Sequence, residues 1–422
     1  MGRWRDAVGA GPPRTRHTRR SIAKLPRQRA RYHGARPDAR SRMSSATDPL
    51  RPPPGTPADA AARTADDPQA ADARLAGLQR WLQDVGPRFG VDPESLRPAS
   101  NDASFRRYFR VDTDAAASID SPVGDAAARG APTLIAVDAP PQHEDSAAFV
   151  RVAAILRDAG VTVPTIHAAD LARGYLLVGD LGTTTYLEAL RSGAAPRPLY
   201  EDALAALVRL QAASRPGLLP DYDRERLRTE LLLFPEWFVE RHLGAALTAT
   251  ERADLERVAA DLLASHLAQP RVIVHRDYHC RNLMRLASGN PGILDFQGAL
   301  FGPIAYDVVS LLRDAYVDID EARQIDYAAR YWDMARRAAL PVAADFGVFW
   351  RDLEWMGLQR HLKILGIFSR LAHRDGKRGY LGDLPRVADA ALAVARRYDA
   401  LAPLGRLLIR LRERLDDAGC AR

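Results

Sequence analysis

The chain has 422 residues, 47% of them hydrophobic and 27% charged, which is enough apolar content for a globular catalytic unit with a sizeable core. No apolar run reaches the roughly 20 residues of a membrane span, so no membrane partner is expected. The net charge of +7 arises in residues 1–42, where 12 arginines and Lys24 face only Asp6 and Asp38, a charge of +11, so the remaining residues carry −4. A nucleic-acid role would rest on that segment alone, which lacks the apolar and aromatic spacing of a folded binding module, and nucleic acid is excluded as a partner.

Residues 1–71 read as a disordered tail, basic to residue 42 and then rich in Pro and Ala around Pro52-Pro53-Pro54 and Pro57. Met43 offers a later start, so residues 1–42 need not be translated, and they lack the apolar segment of a secretory signal. The body is expected to begin near Ala71. Leu75, Leu78 and Leu82, with Trp81 beside them, follow helical spacing and predict a first amphipathic helix. Arg106 to Arg110 and Thr133 to Val137 read as strands, separated by a hairpin loop over Asp112 to Gly130 rich in Ala, Asp, Ser and Gly. A helix over Ser146 to Ala159 follows, and then a buried strand, Tyr175-Leu176-Leu177-Val178, which ends at Gly179-Asp180-Leu181-Gly182.

Beyond this point the pattern is mostly helical. Leu204, Leu207 and Leu210 form a core stripe, Leu231 to Val239 with Trp237 begins another helix, and Asp307 stands before a helix carrying Val308, Leu311 and Leu312. The C-terminal leucines Leu404, Leu407, Leu408, Leu411 and Leu415 make an amphipathic run expected to pack on the body. Cys280 and Cys420 form neither a disulfide framework nor a zinc site, which fits a reducing cytoplasm.

The chemistry concentrates in Val272-Ile273-Val274-His275-Arg276-Asp277-Tyr278-His279-Cys280-Arg281-Asn282, followed by Gly292-Ile293-Leu294-Asp295-Phe296. Phosphoryl transfer to a hydroxyl needs a carboxylate to orient and deprotonate the acceptor, and an amide and a second carboxylate to hold magnesium on nucleotide phosphates. Asp277 is the catalytic candidate, and Asn282 and Asp295 are the metal candidates. Leu283 to Leu286 and Gly292 to Leu294 predict a hairpin with Leu283 opposite Leu294, which places Asn282 opposite Asp295. One amide and one carboxylate, completed by phosphate and water, suit Mg2+. His275, behind an apolar strand, is read as a support that hydrogen-bonds backbone near the loop.

These motifs resemble the aminoglycoside phosphotransferase superfamily of small-molecule kinases. The segments Ser100-Asn101-Asp102-Ala103-Ser104-Phe105-Arg106-Arg107-Tyr108-Phe109-Arg110, Val137-Asp138-Ala139-Pro140-Pro141 and Gly302-Pro303-Ile304-Ala305-Tyr306-Asp307 are similar to its N-acetylmuramate/N-acetylglucosamine anomeric kinase branch, over about residues 72–400. The resemblance implies an α+β, protein-kinase-like fold of two lobes. A small antiparallel-sheet lobe over residues 72–180 would bind nucleotide, and a larger, mainly helical lobe over 181–422 would carry catalysis and the acceptor.

It further implies ATP and Mg2+ as cofactors and a small amino-sugar substrate in cell-wall recycling; the expected location is cytoplasmic, and the oligomeric state stays open with a monomer favoured. Ser104, Phe105, Arg106 and Arg107 would meet phosphate, and backbone of Leu177, Val178, Gly179 and Asp180 would meet adenine. Asp307 would brace the catalytic loop.

Two features depart from the kinase pattern. The phosphate loop has no glycine, and the small lobe has no lysine, the only lysines being Lys24, Lys363 and Lys377. Arg106, Arg107 or Arg110 is expected to replace the lysine, since a guanidinium grips phosphate through paired donors, and Glu144 or Asp145 is expected to pair with it. Glu230, Trp237, Arg313 and Asp314, with Tyr316, are the acceptor-site candidates. Arg360, His361, Lys363 or Arg370 could meet a muramyl carboxylate. Kinases for aminoglycosides, choline or protein serine/threonine, and a silent nucleotide-binding module, are the alternatives that the pattern leaves open.

Overall fold

A computed structural model describes residues 68–100, 105–114 and 133–420, all within one compact unit, Ala62–Arg422. The expected tail over residues 1–67, Ser104 in the phosphate loop and most of the loop between the first strands lie outside the described residues.

Helix α1 (Pro68–Val85) begins slightly earlier than expected and packs on a five-stranded antiparallel sheet of order β1-β2-β3-β5-β4. The strands are β1 (Val91–Ser100), β2 (Arg107–Thr113), β3 (Thr133–Asp138), β4 (Ile166–Asp170) and β5 (Tyr175–Gly179). Leu78, Trp81 and Leu82 of α1 share a buried cluster with Phe109, Val111, Leu134, Ala136, Tyr175 and Leu177. Side chains alternate across a strand, so Tyr108 and Arg110 of β2 face the opposite side, as do Ile135 and Val178. That opposite side forms the roof of the cleft described below, while α2 (Ser146–Asp158) covers Val137 and Leu176.

Helices α3 (Tyr186–Arg191) and α4 (Pro196–Ala212) open the larger lobe. The helix expected from Leu231 begins earlier, as α5 (Arg224–Leu233), because Asp223 caps it by accepting the Arg226 N–H at 2.9 Å. It then widens into a π-helix, Phe234–His242, where Pro235 has no N–H to continue the α ladder. Helix α6 (Ala249–Ala268), strand β6 (Arg271–Val274), the short strands β7 (Leu283–Met284) and β8 (Gly292–Ile293), β9 (Leu300–Pro303) and helices α7 (Ala305–Leu312) and α8 (Glu321–Arg337) follow.

The 28-residue α9 (Phe346–His373) is the lobe's central support. Gly366 lets it lie against α5, because a Cβ there would sit 2.4 Å from the Leu233 carbonyl. The C-terminal leucines Leu404, Leu407, Leu408, Leu411 and Leu415 are buried on α11 (Ala402–Cys420), against α6 and α10 (Leu384–Ala395). Among the described residues, no helix is long and apolar enough to cross a membrane.

Candidate active site

β6 pairs with β9 and delivers the chain into the loop His275–Asn282. Arg276 turns there with φ 78°, a left-handed conformation that a side chain tolerates only where its surroundings hold it. Asp307 does the holding: its carboxylate accepts the N–H of His275 at 2.6 Å and of Arg276 at 2.9 Å. Asp307 stands inside the first turn of α7, not at the N-cap position, which belongs to Ile304. Burial raises its pKa to about 6, against the opposing pull of His275 and those two N–H groups. His275 bridges loop and hairpin, Nε2 donating to the Leu294 carbonyl at 2.9 Å while Nδ1 accepts the Asp277 N–H at 3.3 Å. Both contacts together require the neutral ring, which burial favours.

Burial alone would raise the Asp277 carboxyl, but the charges of Lys363 and Arg360 on α9, together with His279 and Arg276, hold it well below the usual carboxylate range. Asp277 is therefore ionised at neutral pH. The Asn282 amide donates to the Asp277 carbonyl at 3.0 Å, which turns its Oδ1 away as an available ligand. The hairpin register differs from the expected one by a residue: Leu283 pairs with Ile293, and the Leu294 N–H donates to the Asn282 carbonyl at 2.9 Å. The strands are shorter than expected because Asn290 turns back to accept the Leu286 N–H at 3.0 Å. Asp295, at φ 58°, leaves the strand geometry, and it lines the same cleft as Asn282.

That cleft, of about 730 Å3, lies between the sheet and the hairpin. Tyr108, Ile135 and Val178 form its roof and Met284 and Leu294 its floor, with Gly179, Asp180 and Asn282 and Asp295 along its length. Leu177 lies on β5 between β3 and β4 with its side chain in the α1 cluster, so the contact expected of it is one of backbone alone. The Asp180 carboxylate is engaged by Arg110 at 2.5 Å, Thr133 at 2.6 Å and the Gly182 N–H at 2.8 Å, so it shapes the linker.

The three arginines separate by strand parity. Arg107 shares the α1 side of β2 and binds the fully buried Asp138 at 2.5 Å, alongside Arg74, so it faces away from the cleft. Arg110 is fixed to Asp180. Arg106 pairs with Glu144 at 2.6 Å, over the Phe149 ring, whereas Asp145 caps α2 by accepting the Ala148 N–H. Burial raises the Glu144 pKa against Arg106, and Asp295 is close enough to raise it further. Phe149 also packs on Phe296 with ring centroids 4.8 Å apart, which joins the Arg106–Glu144 pair to the Asp295 segment. Phe105 is exposed and stacks on His143, outside the cleft lining.

The pattern that defines the phosphotransferase enzyme family matches residues 95–340. The chain belongs to that family. A Pseudomonas aeruginosa protein named N-acetylmuramate/N-acetylglucosamine kinase is 47% identical over 81% of this chain and 97% of its own length. A Neisseria meningitidis protein of the same name is 44% identical over 79% of this chain and 95% of its own. In structure, the chain is similar to a Plasmodium vivax ethanolamine kinase, with a TM-score of 0.55 at 11% identity, covering 83% of this chain and 99% of that one. That likeness shows the protein-kinase-like two-lobed fold.

In this phosphotransferase the four acceptor candidates are occupied elsewhere. Glu230 is buried and meets Arg276 at 2.6 Å, Lys363 at 3.0 Å and the Tyr222 hydroxyl. Arg313 reaches away to Glu354 at 3.0 Å and Gln324 at 3.1 Å. The Asp314 carboxylate fixes the N–H groups of Cys280 at 3.0 Å and Tyr316 at 2.9 Å. Trp237 is buried on the π-helix under the Arg241 guanidinium. Each was named for its residue type; only the fold shows that the charged groups of Glu230, Arg313 and Asp314 have partners within the chain. The sequence reading passed over Arg281 and Tyr380, which line the cleft beside Asn282; the adjacency of Arg281 to a metal candidate was the available signal.

Proposed function

We propose that the protein is an ATP-dependent kinase that transfers the γ-phosphoryl group to the anomeric hydroxyl of N-acetylmuramate and N-acetylglucosamine, in the cytoplasm, as a step in cell-wall amino-sugar recycling. The observation that carries the reading is the pairing of Asn282 with the catalytic loop, its amide donating to the Asp277 carbonyl at 3.0 Å, while Asn282 and Asp295 line one cleft, in a chain 47% identical to a kinase named for those two sugars.

Asp277 accepts a hydrogen bond from the acceptor hydroxyl and aims its oxygen at the γ-phosphorus. As the new O–P bond forms and the bond to the β-phosphate oxygen breaks, the hydroxyl proton passes to Asp277 and then to water, and ADP leaves. The low pKa of Asp277 suits a late proton transfer, because the hydroxyl becomes strongly acidic only as its bond to phosphorus forms. A hemiacetal hydroxyl, more acidic than an ordinary alcohol, eases that step. Arg106, set by Glu144, contributes positive charge to the phosphates in place of the missing lysine.

The donor set fits magnesium: Asn282 Oδ1 and the Asp295 carboxylate supply two oxygens, and among the described residues no cluster of three His, Cys, Asp or Glu forms an all-protein cage. Held there, Mg2+ would neutralise charge on the transferring phosphates. Gln297 donates to Asp295 Oδ1 at 2.6 Å and steadies that ligand.

The test is turnover of magnesium-ATP with N-acetylmuramate, N-acetylglucosamine, kanamycin and choline as parallel acceptors, with phosphorus NMR of the product. An anomeric sugar phosphate is expected, and Asp277→Asn should cut kcat by about 10³-fold or more while ATP affinity stays within a few-fold. Turnover of choline or kanamycin alone, or a fully active Asp277→Asn, overturns the reading.

A further inference from the structure

The cleft extends beyond Asn282 into the large lobe, where Arg281, Tyr316, Gly379, Tyr380 and Asp383 line it. They come from three separate segments: the catalytic loop, the stretch after α7, and the 3-10 turn Arg378–Asp383. Asp314 brings the first two together, since its carboxylate binds the N–H of both Cys280 and Tyr316. Phe368 of α9 completes the wall, its ring centroid 6.2 Å from that of Tyr316 and 5.0 Å from that of Tyr380.

Arg281 differs from its neighbours in how its charge is met. Arg106, Arg110, Arg276 and Arg313 are each ion-paired to a carboxylate. Arg281 has no carboxylate partner among the described residues. Its guanidinium instead lies 4.8 Å above the Tyr316 ring, and the Tyr316 and Tyr380 side chains are its hydrogen-bonding neighbours. An arginine bedded on tyrosine faces keeps its fork of donors in one orientation and lacks only an anion. Arg191 is a second cleft arginine without a carboxylate partner among the described residues, but it ends helix α3 on the linker side. Arg281 adjoins Asn282 in sequence and follows Asp277 by four positions, so its Cα lies within one residue's span, about 3.8 Å, of that of the magnesium ligand.

We propose that this outer chamber is the acceptor subsite, that the Tyr316 and Tyr380 wall takes the apolar C–H face of a pyranose, and that Arg281 binds a carboxylate carried by the sugar. The inference rests on the sugar-kinase reading and deepens it. A carboxylate-bearing amino sugar gains a paired, charge-assisted contact at Arg281, whereas the same sugar without the carboxylate uses only the aromatic wall. Arg281 is thus the residue that ranks the two acceptors.

The full-length protein, with magnesium-ATP, is assayed as wild type, Arg281→Gln and Arg281→Lys against N-acetylmuramate and N-acetylglucosamine. Arg281→Gln should raise KM for N-acetylmuramate by about 10- to 100-fold, the loss of a charge-assisted contact, and leave KM for N-acetylglucosamine and for ATP within about threefold. Arg281→Lys should restore part of the N-acetylmuramate affinity, since it keeps the charge without the fork. An equal loss for both sugars, a raised KM for ATP, or an unchanged KM for N-acetylmuramate overturns the assignment of Arg281 while leaving the sugar-kinase reading intact. Failure of the wild type to phosphorylate either sugar removes that reading and this inference together.

Discussion

Glu230→Gln is the sharpest test of the charge network behind the catalytic loop. The wild-type carboxylate is buried, with Oε1 2.6 Å from Arg276 and 3.0 Å from Lys363. At about 3 Å and an effective dielectric near 20, each pair carries roughly 5 kcal/mol of gross attraction, most of it offset by desolvation. Removing one partner of a buried pair while the cations stay buried costs about 3–5 kcal/mol. For roughly 350 ordered residues, unfolding entropy of about 2 cal/mol/K per residue gives about 0.7 kcal/mol/K, so a 4 kcal/mol loss lowers Tm by about 5–6 °C.

The pH dependence provides an internal check. Burial would raise the Glu230 pKa, but Lys363 and Arg276 depress it below the ordinary value. The stabilisation is therefore present above the unfolded-state pKa and is lost as pH falls through the folded one, so the gap between wild type and variant should narrow once pH falls below about 4.3, the ordinary glutamate value. Scanning calorimetry at pH 7.5 and pH 4, with kcat and KM on the same preparations, reads both effects. A Tm within 1 °C of wild type at neutral pH, with a raised KM for the sugar, would falsify the structural role and return Glu230 to the acceptor site.

Two further outcomes are expected. If Arg106 stands in for the missing lysine as proposed, Arg106→Ala should weaken ATP binding by at least about tenfold, since it removes that cation and strands Glu144, with Arg106→Lys recovering part of the loss. Nucleotide titration by calorimetry measures this, and unaltered ATP affinity in Arg106→Ala would refute the lysine replacement. The Asp307 pKa is raised to about 6, so its proton is held more tightly in the folded state; protonation on acidification removes an anionic acceptor from the His275 and Arg276 N–H groups. Activity should fall as pH drops through about 6 while Asp277 stays ionised, and a pH–rate profile of kcat flat down to pH 5 would contradict that assignment.

The local patterns that stood alone in the sequence were legible. Leu78, Trp81 and Leu82 had one buried face to satisfy, whereas Arg106, Arg107 and Arg110 stayed together as candidates until strand pairing put Tyr108 and Arg110 on the cleft side of β2 and Arg107 on the other. The spacing of Asp277, Asn282 and Asp295 was readable because one loop and one hairpin bring them together. The hairpin register was misjudged by one residue because Asn290 consumes the Leu286 N–H, a contact that strand propensity does not encode.

The sequence by itself determined which chemical groups this protein carries: a carboxylate and an amide five residues apart in one loop, a second carboxylate beyond a hairpin, and arginines but no lysine in the small lobe. Tertiary structure alone decided how those groups are spent. Arg106, Arg107 and Arg110 are near neighbours in the chain, yet they meet Glu144, Asp138 and Asp180, carboxylates 31 to 70 positions further on, on different sides of a sheet. Glu230, Arg313 and Asp314 looked like ligand contacts until their partners at Lys363, Glu354 and Cys280 came into view. A buried charge must be neutralised by whatever the fold places against it, and that placement depends on long-range packing that no local pattern records.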